Sequence, residues 1–313
     1  MRFDNRVTRL LGVEIPIVQA PMGWIARSPL AAAVSRAGGL GIIETSSGDL
    51  DAVRHEIRRM RELTDRPFGV NIAQAFVRDP DIVSFVIDQG VRFVTTSAGD
   101  PRRYTAQLKQ AGLTVFHVVP SLKAALRAVA AGVDGLVVEG GEGGGFKNPR
   151  EVSTMVLLPL VRSRVDVPII AAGGICDGAT MAAAFALGAE GVQMGTRMLA
   201  AAESPIHKGW KRAVVEASET DTVLLRSPRG PALRALRTER TERLARGEGD
   251  PMAELVAGVE PVYFRGDVGA GVALSGQVAG RIETVEPVAE IIRRTVEEYE
   301  ATAARLALSA GLL

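Results

Sequence analysis

The chain has 313 residues, 47% of them apolar but only 4% aromatic, with a formal net charge of +1. A core built largely from Ala, Val, Leu and Ile follows, which excludes a disordered or fibrous chain, and the balanced charge excludes a global field that would steer nucleic acid or an anionic membrane. The single cysteine, Cys176, cannot form an internal disulfide; the first residues lack the apolar run of a secretory signal, and no run reaches the ~18 apolar residues of a membrane span. A cytoplasmic protein with no nucleic-acid or membrane partner is expected.

Short β-rich runs alternate with helix-length segments over the first two thirds of the chain. Strands are predicted at 15–20, 40–43, 67–72, 92–96, 113–119, 134–139, 168–172 and 191–195, and helices near 29–37, 50–64, 79–89, 101–111, 121–131, 151–164 and 177–187. Several helices run into glycine, as at Ala37-Gly38 and Leu187-Gly188, which is how helices commonly stop. The same alternation also builds an open, doubly wound sheet. Eight strands, with special residues after nearly every one, favour a closed (β/α)₈ TIM barrel carrying its chemistry at the C-terminal strand ends.

Residues 1–200 and 268–313 are assigned to this barrel, and residues 201–267, which break the rhythm, to a helical, Arg-rich lid insertion after the eighth strand. The arginines of 226–246 are either a solvated helix face or a cationic lid for an anionic cofactor or substrate tail. The last segment reads as a C-terminal helix that closes the fold or contacts a second subunit, leaving a homodimer open.

Two strand ends carry the strongest local signal: AAGGICDG (171–178) and VQMGTRM (192–198) each run from apolar strand into glycine and a helix start. One Gly-Gly pair alone is a tight turn. Two such turns after the seventh and eighth strands, where barrels bind phosphate on bare backbone N–H groups, point to a phosphate-bearing ligand. Cys176 reads as a small packing residue. After the first strand, Pro21 and Met22 suit a flat aromatic ring across the barrel mouth, and Asn71 at the end of FGVNI can bond such a ring. The sixth strand ends in EGGEGGGFKNP (139–149), where close approach to a ligand accounts for the glycines and Glu139, Glu142, Lys147 and Asn148 project. No metal site is expected.

QAPMGW, AGGLGII, FGVNI, VVEGGEGGG, PIIAAGGICDG, VQMGTRM and ALSGQVAG follow one another as in the nitronate monooxygenase and 2-nitropropane dioxygenase family, which includes FMN-dependent enoyl reductases and NADH:quinone reductases; the resemblance spans about residues 5–295. It implies a TIM barrel with FMN, its phosphate at Gly173, Gly174, Gly195 and Thr196, its ring near Pro21, Met22 and Asn71, and Ser275, Gly276 and Gln277 brought toward it. PMGW, GGEGGG and SGQVAG look especially like a branch acting on CoA thioesters in steroid-ring degradation.

One departure stands out. Where the family's glycine loop ends in a histidine that accepts a proton from the nitro compound, this chain has Phe146, which cannot accept one. The expected activity is therefore NAD(P)H-dependent reduction of an activated enoyl or enone small-molecule substrate, with a CoA or acyl-carrier thioester as a candidate, and with Phe146 and Lys147 facing the substrate. Nitronate oxidation with O2, NADH:quinone reduction and a non-catalytic flavin-binding protein are the alternatives. NADH and NADPH are not distinguished, because no dinucleotide fingerprint is present. His117, near the end of the fifth strand, and Glu142 are the candidates to replace the missing base, with a hydrogen-bonded core histidine the plain reading of His117.

Overall fold

Parallel strands are covered on both faces, so each needs apolar side chains pointing two ways, and runs such as Val115-Phe116 and Leu136-Val137-Val138 provide them. In the computed structural model, which describes residues 3–47, 49–227 and 230–311, these runs form a barrel. Its strands are β1 (Ile17–Gln19), β2 (Gly41–Glu44), β3 (Phe68–Ala73), β4 (Phe93–Ser97), β5 (Thr114–Val119), β6 (Gly135–Glu139), β8 (Ile169–Ala172) and β9 (Gly191–Met194), while β7 (Gly145–Lys147) lies in a second sheet. The order around the barrel is β1-β9-β8-β6-β5-β4-β3-β2, every pairing parallel. Closure comes from Val18 bridging Leu40, with Gln19 N–H donating to the Leu40 carbonyl (3.0 Å) and Leu40 N–H to that of Ile17 (2.9 Å).

Side chains alternate along each strand. One set, including Val18, Ile42, Phe93, Phe116, Val137 and Ile170, fills the barrel; the other, including Val70, Val94, Val115, Val119 and Val138, packs against the outer helices. Interior space is tight: a Cβ at Gly135 would lie 2.3 Å from the Phe116 ring. Val7 and Leu11 of the helix Arg6–Leu11 join the interior set, and Val7 lies against Gly191 at the start of β9. That helix closes the N-terminal end, which leaves the C-terminal end for a site.

The predicted helices fall at Ser28–Arg36, Leu50–Leu63, Ile82–Asp88, Thr105–Gln110, Leu122–Ala130, Thr154–Arg162 and Gly178–Ala186, with glycines such as Gly188 (φ 102°) terminating them in the left-handed region. The C-terminal helix Val288–Ser309 closes the fold by burying Val288, Ile291, Ile292 and Thr295. Among the described residues no helix is long and apolar enough to cross a membrane.

The segment 201–267 is not purely helical. Besides helices Lys208–Val215, Glu239–Ala245 and Pro251–Ala257 it holds the strands β10 (Thr222–Leu225) and β11 (Ala232–Leu236), an antiparallel pair. Part of the Arg-rich stretch is therefore strand: TVLL and ALRAL put apolar side chains on a second small core of Leu225, Leu233, Ala235, Leu244, Leu255 and Val272. Pro228 and Arg229 lie outside the described residues. β7 pairs with β11, Phe146 opposite Leu233, so the glycine loop after β6 becomes the third strand of this sheet.

Candidate active site

A cavity of about 640 Å³ opens at the C-terminal strand ends, within the size range of small-molecule sites. Pro21 and Met22 after β1, Asn71 of β3, the glycine loop 142–147, Gly173 and Gly174 after β8, and Gly195 and Thr196 after β9 all line it. Gly276 lines it as well, whereas Ser275 and Gln277 do not. Ser275 is fully buried and accepts a bond from Trp210 Nε1 (3.3 Å); Gln277 is exposed, its N–H donating to the Glu142 carbonyl (2.9 Å). With Gly276 N–H donating to Thr196 Oγ1 (2.8 Å), this run stitches the glycine loop to the turn after β9.

Gly173 (φ 87°) and Gly174 (φ 79°) both occupy the left-handed region, which folds the chain sharply after β8. A Cβ on Gly173 would stand 3.0 Å from the Gly140 carbonyl, whereas one on Gly174 would meet nothing nearer than Glu142 at 3.7 Å, so that turn opens toward the cavity. On the opposite wall the Asn71 amide nitrogen donates to Thr95 Oγ1 (3.0 Å), which presents its oxygen as the free end of the amide. Gln193, not singled out by the sequence reading, lines the same cavity with its Oε1 buried and unpartnered among the described residues. A buried acceptor without a partner is rare and marks a place for a ligand donor.

The acid–base candidates divide. His117 lines the cavity, but its Nδ1 lies 2.7 Å from Thr96 Oγ1, the ring also bonds the Gly99 backbone, and burial pushes its pKa down to about 4. It is a neutral, doubly held histidine at pH 7. Glu142 spends its carboxylate on the start of the helix after the glycine loop, accepting from Thr154 N–H (2.9 Å) and Thr154 Oγ1 (2.9 Å). Lys147 is buried and ion-paired with Glu139 at the cavity edge. Phe146 packs against Phe76, ring centres 5.0 Å apart, as an apolar wall. Cys176 is buried with its thiol pushed up to about 12, an inert packing group.

Two arginines of the expected cationic lid are engaged within the protein. Arg234 is 5% exposed and donates to the Gly141 carbonyl (2.8 Å), Thr222 Oγ1 (3.3 Å) and Glu151 (2.8 Å). Arg237 binds Glu242 and the carbonyls of Thr220 and Thr222. Both guanidinium groups hold chain to chain, leaving neither free for an anion.

The sequence profile of the nitronate monooxygenase family matches residues 4–82 and 73–298. The chain belongs to that family. Within this flavin-dependent family it is 30% identical to a nitronate monooxygenase of Paraburkholderia phytofirmans, over 93% of this chain and 94% of that protein. It is 40% identical over 227 residues to the (3aS,4S,5R,7aS)-5-hydroxy-7a-methyl-1-oxo-octahydro-1H-indene-4-carboxyl-CoA dehydrogenase of Mycobacterium tuberculosis, a match covering 72% of this chain and 63% of that relative's length. Among solved structures it is similar to FabK of Thermotoga maritima, with 42% identity, a TM-score of 0.91, and coverage of 97% of this chain and 98% of that one. The relatives it matches bear oxidoreductase names, a nitronate monooxygenase and a carboxyl-CoA dehydrogenase among them.

Proposed function

We propose that the protein binds FMN and reduces an activated enoyl or enone carbon–carbon bond, with NADH or NADPH as electron donor and a small-molecule CoA or acyl-carrier thioester as substrate. The observation that carries this reading is Phe146. In the family that the sequence resembles, the proton acceptor for a nitro compound stands where this ring does, and phenylalanine offers none. Hydride delivery to a polarised double bond needs no base at that point, and the Phe146–Phe76 wall suits an apolar acyl body. The relatives' names support the thioester: one acts on a fused-ring carboxyl-CoA.

Bound flavin supplies reversible two-electron, hydride-level chemistry. The open turn at Gly174 and the orphan Gln193 Oε1 fit such a group. Gly173, Gly174, Gly195 and Thr196 would hold its phosphate, while Pro21, Met22, Asn71 and Gln193 would flank its ring. The segment 201–267 would act as a lid, excluding water through the wall it builds with β7.

Anaerobic mixing of the holoprotein with NADH and NADPH in turn, followed by a trans-2-enoyl-CoA, tests the proposal. Bleaching of the flavin by one nucleotide and recovery of its colour on adding the enoyl-CoA is expected. No bleaching with either nucleotide, together with oxygen uptake on a nitronate, would establish the activity named for the family instead.

A further inference from the structure

Five titratable side chains among the described residues line the cavity: His117, Glu139, Glu142, Lys147 and Tyr263. Three are committed elsewhere. His117 is neutral and held by Thr96 and Gly99, and Glu142 caps the helix at Thr154. Tyr263 packs edge-on against Trp210 (4.7 Å), and burial beside Glu44 pushes its phenol further up, away from proton exchange. Lys147 and Glu139 remain.

Their placement follows from the small sheet. On β7, Phe146 packs against Phe76 at the cavity and against the second core, while Lys147 beside it pairs with Glu139 at the end of β6. The glycine loop makes room for the pair: a Cβ at Gly143 would lie 2.7 Å from Glu139 Oε1 and 2.9 Å from Lys147 Nζ. An ammonium has three donors, and one is used on Glu139. The other charges around the pair are Glu142, pinned to Thr154, and the Glu151–Arg234 ion pair beyond Gly141. A buried ion pair is poor value for stability, since apolar side chains of equal volume do as well or better, but in a cleft it can exchange a proton with a ligand.

We propose that Lys147 is the catalytic acid of this cavity and Glu139 its positioning residue, with Lys147 Nζ–H protonating the substrate carbon next to the thioester carbonyl once hydride has reached the β carbon. The inference rests on the thioester reading given above. In the step, the enolate electron pair forms the new Cα–H bond, the N–H bond breaks, and its pair stays on nitrogen as a neutral amine. Water at the cavity mouth returns the proton. In the reverse direction the neutral amine removes the α proton.

Acetoacetyl-CoA is the probe, because its enolate has a near-ultraviolet band that its keto form lacks and no reductant is needed. Binding to the holoprotein is read separately from the perturbation of the flavin absorbance. The wild-type protein is expected to lower the apparent pKa of the bound probe by at least about one unit, roughly tenfold in ionisation. Lys147→Met should bind the probe and lose that shift, and Lys147→Arg, which keeps a cation, should recover part of it. Glu139→Gln should bind the probe with a smaller shift of its enolate band than wild type, because Lys147 Nζ loses the carboxylate that holds it in place. The double variant Lys147→Met/Glu139→Gln carries no unpaired buried charge, so it should fold, retain flavin and lack the shift. An unchanged enolate fraction in Lys147→Met or in the double variant overturns the inference, as does wild-type binding without enolisation. If wild-type holoprotein binds no acyl-CoA at all, the thioester reading fails and this inference falls with it.

Discussion

Replacing Arg234 with methionine removes a side chain that ties three separate pieces together: the glycine loop at Gly141, β10 at Thr222, and Glu151 just before the helix that follows. The Gly141 carbonyl is a buried acceptor, and leaving such a group unpaired costs about 1–3 kcal/mol. The bond to Glu151 adds less than a fully buried ion pair, because the Glu151 side chain is 34% exposed and water compensates part of it. A total near 3 kcal/mol follows, which for a chain of this size lowers the melting temperature by roughly 5 °C. Thermal and denaturant unfolding of the holoprotein would measure it. Alongside, KM for an enoyl-CoA should be measured from low to moderate salt, and the ratio between variant and wild type should not depend on ionic strength. A variant of unchanged stability whose KM defect disappears at high salt would refute this account and restore Arg234 as an anion-binding residue.

His117 is held neutral by burial, so its folded pKa of about 4 lies below the unfolded value near 6.5; the stability it contributes is complete above pH 6.5 and is lost as pH falls toward 4. His117→Gln should flatten the acid limb of the stability–pH curve by up to about 3 kcal/mol while leaving flavin reduction unchanged at pH 7, and an identical acid limb would contradict this. For Gly174→Ala, forcing an alanine into φ 79° costs about 1–2 kcal/mol, shared between a lower melting temperature of the apoprotein and weaker FMN binding, since the new methyl has room. Flavin fluorescence titration and apoprotein unfolding, taken together, should recover that sum; no change in either would show that the turn carries no such constraint.

The barrel was legible because its strands are apolar runs bounded by glycine, and all eight lie within two residues of their predicted bounds. Less could be read where the pattern is short or the partner remote. β7 has three residues, one of them Gly145, and only its pairing with β11 makes it a strand. Arg234 looked like a solvent-facing charge because its partners, Gly141 and Glu151, lie 93 and 83 residues away in sequence. His117 shares its strand parity with Val115 and Val119, which face the helices, yet it lines the cavity with its ring held by Thr96 and Gly99, a placement that alternation left open. Gln193 passed as an ordinary strand residue in VQMG, and the want of a partner for its amide oxygen shows only in three dimensions. Of the residues flagged in the glycine loop, Glu142 accepts from Thr154 at the helix start and Lys147 pairs with Glu139, a division that composition could not make.

Because β7 is shared between the cavity and the sheet of segment 201–267, part of the cavity wall is braced by chain inserted after the last barrel strand. Relatives that keep the same glycine turns after β8 and β9 can therefore diverge in substrate by exchanging that segment as one cassette. Grafting experiments should respect this unit: a transplanted hairpin without its matching glycine loop would leave the β11 edge without its partner, and a transplanted loop without its hairpin would arrive with no strand to set its register.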